Sequence, residues 1–341
     1  MSKNILVTGG LGFIASHTIV ELIKNSDHQI IIIDNLSNSS TDVLEKINNV
    51  AQQTPIFYQI DIRDQNRVEW IFLNHTIHSV IHFASLKSVS ESFDMAMDYY
   101  DNNLCGTIHL LNVMKKFNVK NLIFSSSATV YGPQIEKIKE HVSIKNLTNP
   151  YARIKYFIEQ MLQDLQHSDP LWNIRILRYF NPVGSHPSGL LHESPKGKPN
   201  NLFPCILESI RNHTTLAVYG NDYPTIDGTC IRDYIHVVDL AKGHIAALKH
   251  LDTSVGLLIL NLGTGKGSTV LQVIQSMQKF VKENIRFKIV DRRPGDIAYS
   301  VADPSLAFQI LGWRAELTLD DMCRDSVLTT PVGKNSSNIL S

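Results

Sequence analysis

Cysteine is scarce: Cys105, Cys205, Cys230 and Cys323 are the four in 341 residues, scattered without metal-type spacing. A disulfide framework and a cysteine-built zinc site are thereby excluded, and reduced thiols of a cytoplasmic protein are expected. Charge of either sign in excess is also missing. Lys+Arg and Asp+Glu each number 32, so neither nucleic acid nor an anionic membrane is the expected partner. No apolar run is long enough to span a bilayer, and Met1-Ser-Lys-Asn leads straight into a strand-like segment without a signal-peptide profile. The 14 histidines read as ordinary polar or core residues, and no metal is expected.

What is present is apolar patterning. Hydrophobic residues make up 43% and charged residues 19% of the chain, ample for a large core. In the first half, strand-like segments at Asn4–Thr8, Gln29–Asp34, Pro55–Ile60, Ser79–Phe83, Asn121–Ser125 and Asn173–Tyr179 alternate with helical ones. The helices are expected near Phe13–Lys24, Asp64–Asn74, Ala96–Phe117 (one long helix) and Tyr151–Gln166. Continuous rather than alternating apolar strands imply burial on both faces, and repeated strand–helix units imply an α/β fold with a doubly wound parallel sheet.

Residues 182–201 are rich in Pro, Gly and Ser and mark a boundary. Beyond them, helices are expected at Leu202–Arg211, Val238–Leu251, after Ser268, at Ser305–Leu311 and at Leu319–Thr329. Strands are expected at Leu216–Tyr219, Leu257–Leu262 and Arg286–Val290. The organisation expected is a Rossmann-type cofactor domain over 1–181 and a smaller α/β substrate domain over 182–332, some segments of which pack back on the first. The polar tail 333–341 is expected to fray.

Three local patterns carry chemistry. Gly9-x-x-Gly12-x-x-Ala15 lies between the first strand and first helix, where glycines let the backbone approach a pyrophosphate resting on the helix N-terminus. Asp34 closes the second strand, where an acid bonds a ribose 2′-hydroxyl and disfavours a 2′-phosphate, so NAD is expected over NADP. Tyr151 and Lys155 stand four apart on one helical face. The ammonium is expected to lower the phenol pKa and make a usable base, with the strand-end Ser127 bonding the same substrate oxygen. Asn261-Leu-Gly263-Thr-Gly265-Lys266-Gly267-Ser268 looks like a phosphate loop, but Gly267 stands where Ser or Thr is needed, so it is expected to be a strand-to-helix turn.

A set of segments then occurs in order: Thr8–His17, Asp34-Asn35, Asp61-Ile62, His82-Phe83-Ala84, Ser125–Gly132, Pro150-Tyr151-x-x-x-Lys155, Arg178–Pro182 and Arg232–Val237. On these the chain resembles the extended short-chain dehydrogenases/reductases, and within them the UDP-hexose 4-epimerases, from about residue 3 to 330. Ala15, Ser85 and Arg153-Ile154 depart from the commonest forms without removing a reacting group. The resemblance implies that Tyr151 takes the proton of the sugar 4′-hydroxyl while hydride passes from C4 to NAD⁺. It implies that Lys155 holds the nicotinamide ribose, and that the hydride returns to the other face of a 4-keto sugar.

The implied cofactor contacts are Gly9, Gly12, Phe13, Ile14, Asp34, Asn35, Asp61, Ile62, Phe83, Ala84, Lys87, Asn102, Tyr151, Lys155 and Tyr179. Those to the UDP-sugar are Ser127, Tyr151, Asn181, Asn201, Leu202, Ala217, Tyr219, Arg232, Arg293, Asp296 and Ser300. The two arginines suit pyrophosphate oxygens, and Ser300, a small residue at a size gate, implies room for an N-acetyl group. A homodimer is implied through the helices near 96–117 and 151. A dehydratase on the same scaffold needs an acid and a base after the strand, which Ala128 and Thr129 cannot supply. A silent NAD-binding scaffold would have little need of the Tyr–Lys pair.

Overall fold

The structure is a computed structural model that describes residues 2–144, 147–194, 196–197, 199–293 and 295–329; the tail 333–341 lies outside them. Strands β1 (Asn4–Thr8), β2 (Gln29–Asp34), β3 (Ile56–Gln59), β4 (Ile77–His82), β5 (Asn121–Ser127) and β6 (Asn173–Tyr179) come first. They are followed by β7 (Asn181–Val183), β8 (Leu216–Tyr219), β9 (Ile231–His236), β10 (Gly256–Leu262), β11 (Gly267–Thr269), β12 (Phe287–Val290) and β13 (Tyr299–Ser300). The main sheet has seven strands in the order β10-β6-β5-β4-β1-β2-β3, all parallel. This is the doubly wound sheet that the alternating pattern predicts.

The continuous apolar strands are explained by how they divide. Ile5, Val7, Ile30, Ile32, Ile123 and Leu177 enter one core beneath the helices Phe13–Asn25 and Val237–Leu251. Their neighbours Leu6, Ile31, Ile33, Leu122, Phe124 and Ile176 enter a second core beneath Gly106–Lys116 and Pro150–Ser168. Side chains alternate across a strand, so a strand buried on both faces must be apolar at every position.

The seventh strand, β10, was expected in the substrate half but extends the main sheet beside β6, and the helix before it packs on Phe13–Asn25. The chain thus returns to its first sheet after leaving it. The remaining strands form a small sheet centred on β9, flanked by β7, β11 and β13, and a two-stranded β8–β12 pair. They share a third core with the helices Leu202–Arg211, Val270–Gln278 and Leu319–Leu328.

The long helix expected over 96–117 is interrupted. A regular turn at Ala96–Tyr99 widens into a π-helical stretch at Tyr100–Cys105 before Gly106–Lys116 resumes. Such stretches are frequent at functional sites, and here they carry the buried Asn102 and Asn103. The helix Asp42–Ala51 was not anticipated.

Buried histidines set the acid limit of this fold. His17, His82 and His244 are enclosed, and burial lowers them to about 3, about 3 and about 4. All three folded values lie below the unfolded value, so the unfolded chain binds more protons as the pH falls below about 6.5. Stability is therefore full above that pH and drains below it, by about 2 kcal/mol per histidine between pH 6.5 and 5. Urea midpoints at pH 7 and pH 5 measure it; equal midpoints would refute it.

Candidate active site

All seven strands of the main sheet run in one direction, so the turns after β1, β2, β4, β5 and β6 open at one edge, where ligands bind in such sheets. Gly9, Asp34, Phe83, Ser127 and Tyr179 all lie there.

Gly9 has φ +64°, and a Cβ on it would stand 2.8 Å from the Ala84 backbone. Glycine is required at that position on both counts. Gly12 begins the helix Phe13–Asn25 with no side chain capping it, leaving first-turn N–H groups directed at whatever lies before the helix. The Asp34 carboxylate accepts from the Leu11 N–H at 3.1 Å, from the Leu36 N–H at 2.9 Å and from Ser39 Oγ at 2.7 Å, which ties the end of β2 to the glycine turn. An anion cradle with an acid beside it fits a dinucleotide. Asn35 donates to Asp61 at 2.9 Å. Arg63 and Asn35 hold the Asp61 carboxyl well below the usual carboxylate range.

The β4 edge is fixed by a buried relay. Thr8 Oγ1 and His82 Nδ1 lie 2.6 Å apart, and His82 Nε2 lies 2.9 Å from Thr107 Oγ1. His78, four residues before His82, instead accepts from the Asn4 N–H at 3.1 Å; this His-x-x-x-His spacing lies along a strand. Past Ala84, Asn103 clamps the strap: its Oδ1 accepts from the Leu86 N–H at 2.8 Å and from Asn102 Nδ2 at 2.8 Å, and its Nδ2 donates to Leu86 O at 3.0 Å. Asn103 was not anticipated. Its signal was a second amide beside Asn102, readable only once the π-helical turn brings both inward.

Tyr151 lies in the first turn of the helix Pro150–Ser168. Asn149 caps that helix by accepting from the Ala152 N–H at 2.8 Å, with proline at the first position. Lys155, one turn on, donates to Ser125 O at 2.7 Å, and its Nζ is 5.7 Å from the Tyr151 ring centroid. Burial pushes Tyr151 up to about 12, opposed by a hydrogen bond with Ser127. Burial lowers Lys155 to about 7, opposed by Glu159. The expected lowering of the phenol by its lysine is thus not seen in the protein alone. Both groups are enclosed, desolvation leads, and the ammonium is spent on a strand carbonyl.

One more turn along the same face, fully buried Glu159 receives Arg178 in two contacts, at 3.0 Å and 2.5 Å, and Ser126 Oγ at 2.5 Å. The Arg178 guanidinium stacks 4.7 Å from the Tyr131 ring centroid. Tyr179 bonds His244 through its hydroxyl.

The residues expected to meet the second ligand fall in two groups. In the first, Arg232 donates to Ile231 O at 2.9 Å and Ile297 O at 2.7 Å and lies 3.7 Å from Asp296. Ser300 is its register partner on β13, whereas Tyr299 pairs with Ile231. Arg293 stacks 4.4 Å from the Tyr219 ring centroid, and Ala217 lies two residues back on the same strand. In the second group Glu193 Oε1 takes Lys87 Nζ at 2.7 Å and Asn201 Nδ2 at 3.2 Å. One carboxylate therefore joins a residue expected on the cofactor to one expected on the substrate. Leu202 packs into the third core and Asn181 opens β7. Glu193 was missed because the loop holding it has no periodicity to read.

The phosphate-loop lookalike has a different purpose. Asp233, fully buried, accepts from the Thr264 N–H at 2.9 Å, Thr264 Oγ1 at 2.6 Å, the Gly265 N–H at 2.9 Å and the Ala302 N–H at 3.1 Å. The loop joins β10 to β11 and wraps an internal carboxylate.

A model of the NAD dependent epimerase/dehydratase family matches residues 5–263, and the chain belongs to that family. It is 49% identical over 329 residues to a UDP-glucose 4-epimerase of Dictyostelium discoideum, covering 96% of this chain and 95% of that one. It is 50% identical over 325 residues to one of Yersinia pestis, covering 94% and 96%. The solved UDP-glucose 4-epimerase of Bifidobacterium longum, in complex with NAD⁺ and UDP, superposes with a TM-score of 0.93 at 49% identity, covering 97% of this chain and 100% of that one. A UDP-Glc/GlcNAc 4-epimerase of Campylobacter jejuni gives 0.83 at 31% identity, covering 98% and 100%.

Gly9→Ala combines a strained φ with a backbone collision. It should destabilise the fold by about 1–3 kcal/mol and empty the purified protein of nucleotide. Absorbance of the supernatant after denaturation reads the nucleotide; a full complement would contradict the cradle.

Proposed function

We propose that this chain interconverts UDP-glucose and UDP-galactose at the sugar C4, with NAD as resident cofactor. The Dictyostelium discoideum, Yersinia pestis and Bifidobacterium longum enzymes, near half identical over nearly the whole chain, support the reading. The observation that carries it is the Ser127–Tyr151–Lys155 cluster at the sheet edge, with the non-acidic Ala128 and Thr129 beside it.

In this reading bound NAD⁺ supplies the hydride acceptor for C4. Tyr151 takes the 4′-hydroxyl proton; its high resting pKa makes it a base only beside positive charge, which opposes the effect of burial. Lys155, steadied by Ser125 O, holds the nicotinamide ribose. Gly9, Gly12, Phe13 and Ile14 face the pyrophosphate of the cofactor, and Asp34 accepts from its ribose. Asn35, Asp61, Ile62, Phe83, Ala84, Lys87, Asn102 and Tyr179 complete its contacts. Arg232 and Arg293 clamp the UDP pyrophosphate, with Asn181, Asn201, Leu202, Ala217, Tyr219 and Asp296 around the rest. Residues 1–181 serve the cofactor and 182–332 the sugar nucleotide, apart from the stretch that rejoins the main sheet.

Incubation with UDP-galactose is expected to give UDP-glucose. A 4-keto-6-deoxy product would assign a dehydratase, and no product a binding protein. Tyr151→Phe should lower kcat by about 10²–10⁴-fold with the bound nucleotide retained.

We also infer acceptance of the N-acetylated pair. Ser300 is small, buried and in register with Arg232, so its side chain shares the face of the proposed pyrophosphate clamp, while adjacent Tyr299 points to the other face. Ser300→Tyr should abolish turnover of UDP-GlcNAc and spare that of UDP-galactose. Wild type inert toward UDP-GlcNAc would end this reading.

A homodimer is proposed through exposed Met97, Ile108 and Phe157, apolar side chains on the helical stretch after Ala96 and on Pro150–Ser168. Light scattering should give twice the chain mass, and Met97→Glu with Ile108→Glu the chain mass; a monomeric wild type refutes it. No helix among the described residues is long and apolar enough to cross a membrane. With none of the four cysteines in a disulfide among the described residues, a cytoplasmic location is proposed, checked by cell fractionation.

A further inference from the structure

We propose that Thr129 is a positioning residue that fixes the direction in which Ser127 gives its proton. The inference rests on the epimerase reading for its kinetic test, but the geometry stands alone. Ser127 ends β5 and caps the short 3₁₀ turn Ala128–Tyr131, its Oγ accepting from the Thr129 N–H at 3.3 Å. Such a cap needs nothing further. Thr129 nevertheless turns its hydroxyl back and donates Oγ1–H to the same oxygen at 3.0 Å.

A serine hydroxyl has one hydrogen and two lone pairs. Both lone pairs of Ser127 are filled by one residue, so its hydrogen is the only group it has left to offer. Tyr151, which shares the sheet edge with Ser127, is the acceptor that the proposal gives this hydrogen, and a bond donated to the ionised phenol would stabilise that form. The order is Thr129 O–H to Ser127 O–H to the Tyr151 oxygen, with every donor pointing toward the base. Without the Thr129 hydroxyl, Ser127 has a free lone pair. It can then rotate and accept from neutral Tyr151, which favours the wrong protonation state. Chains of hydrogen bonds also polarise one another, so the outer donor strengthens the inner one.

Thr129→Val removes the hydroxyl at nearly constant shape and leaves the N–H cap, while Thr129→Ser keeps the hydroxyl. In the holoenzyme Thr129→Val should lower kcat for UDP-galactose about tenfold with KM within about twofold, and move the acid limb of the kcat–pH profile up by about one unit. Thr129→Ser should restore both. In a Ser127→Ala background Thr129→Val should change neither, because the two act as one unit. The ¹³Cζ resonance of Tyr151, assigned by its loss in Tyr151→Phe, reads ionisation without turnover and should titrate higher in Thr129→Val.

An unchanged profile and titration in Thr129→Val would overturn the proposal, as would a further loss in the Ser127→Ala background. If the wild type does not turn over UDP-galactose, the epimerase reading fails. The Tyr151 titration then decides the relay by itself.

Discussion

An ionised carboxylate at the position of Glu159 has no access to water, and everything around the reacting cluster follows from how it is neutralised. Arg178 meets it with both arms of a guanidinium, and Ser126 supplies a further donor. A buried pair of this kind is weak evidence for net stability, but losing either member strands the other charge, a loss worth about 3–5 kcal/mol. The pair therefore locks three elements into one body: the helix Pro150–Ser168, β5 and β6. Lys155 is one turn before Glu159, Tyr151 two turns before it, and Ser127 directly follows Ser126. Their relative placement is inherited from the ion pair behind them.

Two glycine-rich turns show how the same backbone device serves opposite ends. At Gly9–Gly12 the helix start carries no capping side chain, so its donors remain available to an external anion. At Gly263–Gly267 the donors close on Asp233. Both sequences advertise an anion, and in the second the chain has brought its own. The internal carboxylate joins the β10–β11 connection to the segment around Ala302, which sets the lead-in to the small sheet carrying Arg232 and Ser300.

Much of this was legible from residues alone, for a physical reason. Strands buried on both faces are largely apolar, so Asn4–Thr8 and Asn173–Tyr179 stand out with their bounds intact, the second despite its buried Arg175 and Arg178. The glycine turn, Asp34 and the Tyr151–Lys155 spacing are legible because each is a local rule. What was hidden depends on distant partners. β10 joins the main sheet because β6 offers it an edge, which no local pattern records. Glu193 sits in an aperiodic loop, and its meaning lies in reaching Lys87 and Asn201 at once. The resting pKa of Tyr151 is set by how completely its surroundings exclude water, which spacing along a helix does not contain.

The π-helical turn at Tyr100–Cys105 has a consequence for the outside of the molecule. An extra residue in a turn rotates everything after it by about 100°. Tyr99 and Asn102 before and within the turn, and Leu110, Leu111 and Met114 after it, face inward on two different phases of one sequence. Read as an unbroken helix, the segment looks apolar nearly all round. The phase change resolves this: what looks like a surplus of hydrophobic residues is two ordinary stripes laid out of step, and Met97 and Ile108 are what is left outside both.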